Sequence, residues 1–190
     1  MRVDRWMSWE AGVDLLAATR PGLERPNVLV HVARMVHTPF GSAPAGMVLY
    51  QPDPNEQPAV FGFVCDDPDV GGYFGPWIFA GTPFEQAPTL RGSIEIWTDL
   101  PAAVGSRVSV SGHLFEVRLN GLSDAELIHR APNPMVPFWQ QGVESGAREA
   151  ILVVDGVPVE VYLLAAGLSG GPAAVWAPCG VYARDGDASA

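Results

Sequence analysis

Hydrophobic and polar residues alternate over most of the chain with the period of two that is typical of β-strands. The segment from Asn27 to His37, NVLVHVARMVH, is the clearest example. One face of this predicted strand carries Val28, Val30, Val32 and Val36, and the other carries Leu29, His31, Ala33, Met35 and His37. Because both faces are largely apolar, we expect the strand to be covered on both sides.

Short turns join neighbouring strand candidates into hairpins. Asp155-Gly156 in EAILVVDGVPVEVYLL and Ser111-Gly112 in RVSVSGHLFEVRL both suit a two-residue turn with positive φ angles. A third hairpin is expected around Gly81 in WIFAGTPFEQA, where Pro83 would mark an edge or a bulge. Consecutive hairpins predict a mainly β protein, either an antiparallel sandwich or a partly open barrel.

The N-terminal segment is predicted to be the one α-helix. Ser8 is suited to cap the sequence WEAGVDLLAATR, in which Trp9, Val13 and Leu16 recur at spacings of four and three. Pro21-Gly22 would end the helix. We therefore expect a helix within 1–26, packed on a single β-rich domain of residues 27–184, and a disordered tail at 185–190.

A weak internal similarity suggests a tandem duplication. At an offset of about 75 residues, GTPFE (Gly81–Glu85) aligns with GVPVE (Gly156–Glu160), and HTPFG (His37–Gly41) lies close to GHLFE (Gly112–Glu116). The halves would be residues 27–101 and 102–184. Since glycine and proline recur at turns throughout the chain, chance similarity is the alternative.

Composition and charge narrow the class of partner. Of the 190 residues, 48% are hydrophobic, which is enough for a packed core and excludes wholesale disorder. The chain has no lysine; its eleven basic residues are scattered arginines, set against 21 acids and a net charge of −10. We expect no nucleic-acid partner. The segment at the N-terminus is not a secretory signal and no apolar stretch could span a bilayer, so we expect no membrane partner and a cytoplasmic location.

Two cysteines, Cys65 and Cys179, lie far apart and form no C-x-x-C pair. The spacing favours neither a disulfide framework nor a zinc site. We expect two buried free thiols.

The histidines provide candidate polar residues for a ligand pocket. His31 and His37 lie about 20 Å apart along an extended strand, too far to share a metal ion. If the two halves are related, His113 would approach His37 and could line a pocket with it. Separate, solvent-facing imidazoles are the alternative.

The acidic cluster Asp66, Asp67 and Asp69 precedes Gly71-Gly72. Several carboxylates in one loop are candidate ligands for a divalent cation. The spacing is not that of an EF-hand, and an ordinary solvated turn is the alternative. No other cofactor is predicted.

Aromatic residues suggest two further binding surfaces. In GSIEIWTD, Trp97 shares the more polar face with Glu95, and Phe138-Trp139 follows a proline-rich run. Either aromatic group could instead serve core packing, which is the usual role of large aromatic side chains.

Two functional hypotheses follow, since the chain contains neither a G-x-S-x-G nucleophile motif nor a P-loop. We favour a non-enzymatic, soluble cytosolic binding or protein-interaction protein, forming a homo-oligomer through strand edges or the Phe138-Trp139 region. The alternative is an enzyme or ligand carrier with a β pocket for a small neutral or cationic molecule. That pocket would be lined by His37, His113 and the Asp66 loop.

Overall fold

A computed structural model describes residues 3–23 and 25–185. Within these ranges the chain forms thirteen strands in one sheet, one short α-helix, α1 (Pro68–Tyr73), and a π-helical turn (Phe74–Ile78). The strands are β1 (Val3–Ala18), β2 (Val28–Thr38), β3 (Gly41–Tyr50), β4 (Val60–Cys65), β5 (Thr89–Leu90), β6 (Gly92–Asp99), β7 (Ala103–Val110), β8 (His113–Leu122), β9 (Glu126–Arg130), β10 (Trp139–Val154), β11 (Val157–Val159), β12 (Tyr162–Leu163) and β13 (Ala174–Asp185). The mainly β class is as predicted.

The sheet curls because the two halves of β10 pair with different strands. Strands follow the order β5-β4-β3-β2-β1-β13-β10-β8-β7-β6, and all pairs except β4-β5 are antiparallel. Residues 139–146 of β10 pair with β13, and residues 147–154 pair with β8. The major wing consists of β5, β4, β3, β2, β1 and β13, together with residues 139–146 of β10. The minor wing consists of residues 147–154 of β10 with β8, β7 and β6.

An inner core fills the space between the two wings. The major wing contributes Val13, Val30 and Val48, and the minor wing contributes Phe115 and Leu119, all buried in one cluster. Burial of this apolar surface is the main force that holds the wings together.

A second, outer core covers the opposite face of the major wing. Here Trp9, Leu29 and Phe63 from the strands pack against Phe74 and Phe138 from the segments that cover them. The covering layer consists of α1, the π-helical turn and the chain before β10 and before β13. The central part of the major wing is therefore buried on both faces.

Two of the three predicted hairpins are confirmed. Asp155 and Gly156 have φ angles of 53° and 78°, and Ser111 and Gly112 have 52° and 81°, as a two-residue turn with left-handed residues requires. The prediction around Gly81 is wrong. Residues 74–78 form the π-helical turn and 79–86 form irregular turns, which lie on the outer core.

The predicted N-terminal helix is also wrong, because this segment is the long strand β1. It lies at the centre of the major wing, between β2 and β13. A strand buried on both faces carries apolar residues at consecutive positions, and some of these inevitably recur at spacings of three and four. Trp9, Val13 and Leu16 are such a subset: Trp9 and Leu16 face the outer core, whereas Val13 faces the inner core.

The alternation of side chains shifts within the major wing. Ala11 has a φ of 55°. On β1, Trp9 before this residue and Leu16 after it both face the outer core, although strict alternation would place them on opposite faces. On β2, the register with β3 shifts between Ala33 and Val36. Val36 consequently faces the outer core, not the face of Val28 predicted from strict alternation. Such bulges redirect side chains and are frequent beside functional sites.

The remaining expectations about organisation have mixed outcomes. The aligned segments 37–41 and 112–116 both fall at hairpin turns, whereas 81–85 is irregular and 156–160 belongs to a hairpin. The predicted tail lies outside the described residues, except that Asp185 ends β13. In the described part of the chain, no helix is long and apolar enough to cross a membrane.

Candidate functional site

The outer core contains a cavity of about 100 Å³. Its floor is the major wing and its walls include Phe74, Phe84 and Phe138 from the covering segments. The chain around 167–173 closes another side. Most of the lining is apolar, and most of the polar groups that line the cavity come from strands.

Asp14 and His31 form an ion pair at the floor of the cavity. They are direct partners in the register of β1 and β2, and His31 Nδ1 lies 2.7 Å from Asp14 Oδ1. Both side chains line the cavity, and they are 35% exposed for His31 and 26% exposed for Asp14.

The environment of His31 favours its charged form. Burial lowers the pKa of an imidazole, but the charge and hydrogen bonding of Asp14, together with the charge of Glu144, outweigh burial and raise the pKa of His31 above 6.5. The charged form of His31 therefore persists to higher pH than that of an ordinary imidazole.

A second, more deeply buried ion pair lies beside the first. Arg130 Nη1 and Nη2 donate to Glu144 Oε1 and Oε2 at 2.7 and 2.6 Å. The Glu144 side chain is only 7% exposed. Arg130 packs against Gly171, where a Cβ would collide with the guanidinium, so the pair also connects β9 and β10 to the loop that closes the cavity.

Gln140 extends this network to the cavity. Its Nε2 donates to Glu144 Oε1 at 2.9 Å, and because a carboxylate only accepts, this contact sets which way the amide faces. Its Oε1 is buried, and no group of the described residues donates to it. Gln140 lines the cavity, so the network leaves one of the lining side chains with an unpaired acceptor.

Aromatic rings surround the polar groups. Tyr182 lies 4.1 Å from Phe138 and 4.6 Å from Trp9 between ring centroids, and its ring is nearly parallel to His31 at 6.5 Å. Burial, and then the nearby carboxylates Asp14 and Glu144, raise the pKa of Tyr182 well above its ordinary value, so its hydroxyl stays protonated.

The predicted Phe138-Trp139 surface is not an exposed groove. Phe138 is buried and forms part of the cavity wall. Trp139 stacks on His129 with ring centroids 5.4 Å apart. The two neighbouring aromatic residues therefore have different roles, since Phe138 ends the covering segment and Trp139 begins β10.

The structure does not bring His37 and His113 together in one pocket. His37 contacts Ser42 and Glu10 on the major wing. His113 lies 2.7 Å from Asp155, connecting two hairpin turns at the end of the minor wing. Neither histidine lines the outer-core cavity. Their predicted meeting relied on the proposed duplication, which these contacts do not test.

Two of the three predicted cation ligands accept hydrogen bonds from backbone amides. Asp67 caps α1 by accepting from the amides of Asp69 and Val70. Asp66 accepts from the amide of Gly92. Across residues 3–23 and 25–185, no three histidine, cysteine, aspartate or glutamate side chains are grouped to hold a metal ion.

Trp97 and Glu95 lie on the outer face of the minor wing, in a shallow depression of about 430 Å³. The indole covers Gly105, its partner in register, and a Cβ there would collide with the ring. Arg118 lies over the same indole, 5.6 Å from its centroid. Trp97 thus has a packing role on an open surface, whereas the outer-core cavity is lined by residues from both the strands and the segments that cover them.

The cysteines are both free, but they differ in exposure. Cys65 is buried as predicted, and burial raises the pKa of its thiol. Cys179 is exposed, contrary to the prediction.

Most polar residues of the cavity were missed from the sequence. Asp14 interrupts a run of buried apolar residues in β1, and such a polar interruption is the one signal that could have marked it. Gln140 and Glu144 lie in β10, where buried and exposed residues are mixed and no such signal exists.

Comparison of the chain with models of known protein families, with curated proteins and with solved structures finds no match. The cavity and its polar groups therefore carry the functional proposal.

Proposed function

We propose that the protein binds a small, mainly apolar molecule in the outer-core cavity. Apolar and aromatic walls with a few convergent polar groups are the usual composition of a small-molecule site. The carrying observation is that the Asp14-His31 pair and Gln140, whose Oε1 has no donor among the described residues, line the same apolar cavity. Of the two hypotheses from the sequence, this supports the ligand pocket, with His31 and Asp14 in the role expected of His37, His113 and Asp66.

The size of the cavity limits the ligand. Dry apolar cavities of about 150 Å³ take up benzene or xenon. At about 100 Å³, this cavity suits a ligand with a short alkyl chain or a small ring. Its rim is partly formed by the loop at 167–173, which we propose moves to admit the ligand.

Xenon is a suitable probe because it tests the apolar cavity without involving the polar groups. We expect saturable xenon binding, detected by ¹²⁹Xe NMR. Ala33→Leu, which inserts bulk into the cavity lining, should weaken xenon binding by about tenfold or more. Ala102→Leu at an exposed turn is the matched control and should leave binding unchanged.

Leu29→Phe is a second substitution in the lining, which provides the test if Ala33→Leu does not fold. Thermal unfolding should show that the variants tested are folded. Failure of the wild-type protein to bind xenon saturably, or equal binding by wild type and both filled variants, would refute the proposal.

The favoured hypothesis from the sequence, a protein-interaction function with self-association, stays a prediction. The surface that supports it best is the outer face of the minor wing, where Trp97 and Ile151 are partly exposed. Sedimentation velocity of wild type and Ile151→Asp tests it, because a dimer formed by this face would dissociate in the variant.

A further inference from the structure

The polar end of the cavity presents acceptors. Arg130 occupies both oxygens of Glu144, and Glu144 in turn holds the amide nitrogen of Gln140. This chain of contacts leaves Gln140 Oε1 without a donor among the described residues, on a side chain that lines the cavity. A ligand group that donates a hydrogen bond would satisfy it, and a carboxylate would not.

The balance of charge at the same place favours a cation. Two carboxylates, Asp14 and Glu144, lie near the polar end, and Arg130 is engaged bidentately by Glu144. Within the described residues, the one ion pair of Asp14 is with His31. When His31 loses its proton, Asp14 keeps a negative charge at the floor of an apolar cavity, where an unpaired charge is costly.

The aromatic walls also suit a cation. Trp9 and Tyr182 lie side by side at the cavity, and Tyr182 lies next to His31. Aromatic faces attract an ammonium group, more strongly where water is excluded.

From these features we infer that the cavity selects a primary ammonium group carried on a short apolar chain, which pairs with Asp14 and donates to Gln140. This inference rests on the proposed ligand-binding function. It adds the chemical class of the ligand, which the apolar walls alone do not determine.

Binding of the ammonium group should be linked to the charge of His31. The groups that face this imidazole are Asp14 from β1, Glu144 from β10 and Tyr182 from β13, and Arg130 lies behind Glu144. Asp14 and Glu144 together raise the pKa of His31 against the effect of burial. A protonated His31 competes for Asp14, so affinity should rise with pH by up to about tenfold per unit as His31 deprotonates.

The test compares three ligands of matched chain length: butylammonium, 1-butanol and butyrate. Their binding is measured by displacement of xenon, which reports occupancy of this cavity. At pH 8 butylammonium should bind about tenfold or more tightly than 1-butanol, because a hydrogen bond or ion pair to a buried charge exceeds a neutral one. Butyrate should bind more weakly than either.

Three variants assign the preference to named groups. Asp14→Asn should bring butylammonium to within about threefold of 1-butanol. Glu95→Gln, which removes an exposed carboxylate on the minor wing, is the matched control and should change neither ligand. His31→Gln should keep the preference and lose its pH dependence. Gln140→Met, which removes the acceptor, should weaken the binding of butylammonium more than that of 1-butanol. This variant provides the test if Asp14→Asn does not fold.

The outcomes separate the two proposals. Equal binding of butylammonium and 1-butanol, or an ammonium preference that survives both Asp14→Asn and Gln140→Met, would overturn the ammonium inference and leave the cavity as a ligand site. If neither ligand displaces xenon, the ammonium inference also fails. If xenon itself does not bind, the proposed function fails as well.

Discussion

Replacing Arg130 with methionine isolates the cost of a buried, unpaired charge. The substitution keeps an extended side chain over Gly171 but removes both donors from Glu144, at 2.7 and 2.6 Å. The Gln140 amide at 2.9 Å is then the one remaining side-chain donor to this carboxylate among the described residues. Because the Glu144 side chain is 7% exposed, water cannot take the place of the guanidinium without opening the outer core.

We expect Arg130→Met to lower the free energy of unfolding by about 3–5 kcal/mol, the usual cost of removing one partner from a buried ion pair. For a chain of this size that corresponds to a fall in Tm of about 6–20 °C. Urea denaturation followed by circular dichroism measures the change. A second substitution, Glu144→Gln in the Arg130→Met background, should recover most of the loss because the stranded charge is removed.

The control is Arg107→Met, which removes an ion pair of similar geometry from the surface. Arg107 and Glu116 lie 2.7 Å apart but are 55% and 37% exposed, so the loss should be under about 1 kcal/mol. Equal losses for Arg130→Met and Arg107→Met would refute the reasoning. So would a double variant as unstable as Arg130→Met alone.

Three further predictions concern the outer core. Phe138→Ala removes a buried ring from the cavity wall and should cost about 3–5 kcal/mol in urea denaturation; a loss below about 1 kcal/mol would contradict this packing. Gly180→Ala places a methyl group against the Trp9 indole and should lower the free energy of unfolding by about 1–3 kcal/mol. The control Gly72→Ala in α1, with open space around it, should be neutral or stabilising. The reverse order of stability would argue against the packing of Trp9. Finally, because the pKa of His31 is raised above 6.5 in the fold, its charged form should stabilise the protein below pH 6.5, and this stabilisation should be lost as the pH rises through the folded-state pKa. The stability of His31→Gln should lack this decline between acidic and alkaline pH, and identical profiles would exclude the linkage.

The sequence predicts this fold best where the determining interactions are local. Asp155-Gly156 and Ser111-Gly112 form the expected turns because the required φ angles depend on those residues themselves. The sequence is less informative for β1, where apolar residues at consecutive positions fit a buried strand as well as an amphipathic helix. Its two neighbours in the sheet, β2 and β13, decide between these structures, and β13 lies at the opposite end of the described chain.

The candidate site depends on contacts that no local pattern contains. By strict alternation Trp9 and Asp14 would lie on opposite faces of β1, and only the shift at Ala11 brings them to the same cavity. The pairing of Asp14 with His31 then follows from the register of β1 with β2. Gln140 and Glu144 come from β10, which is distant in sequence.

By itself, therefore, the amino-acid sequence determined the β class, the tight turns and the net negative charge. The tertiary structure decided which strand lies at the centre of the sheet, which histidine meets a carboxylate, and where an apolar cavity stays open. The physical reason is range: backbone preferences and alternation act between neighbours in the chain. Burial of a charge or an imidazole depends on strands that are far apart in sequence and meet only in the folded sheet.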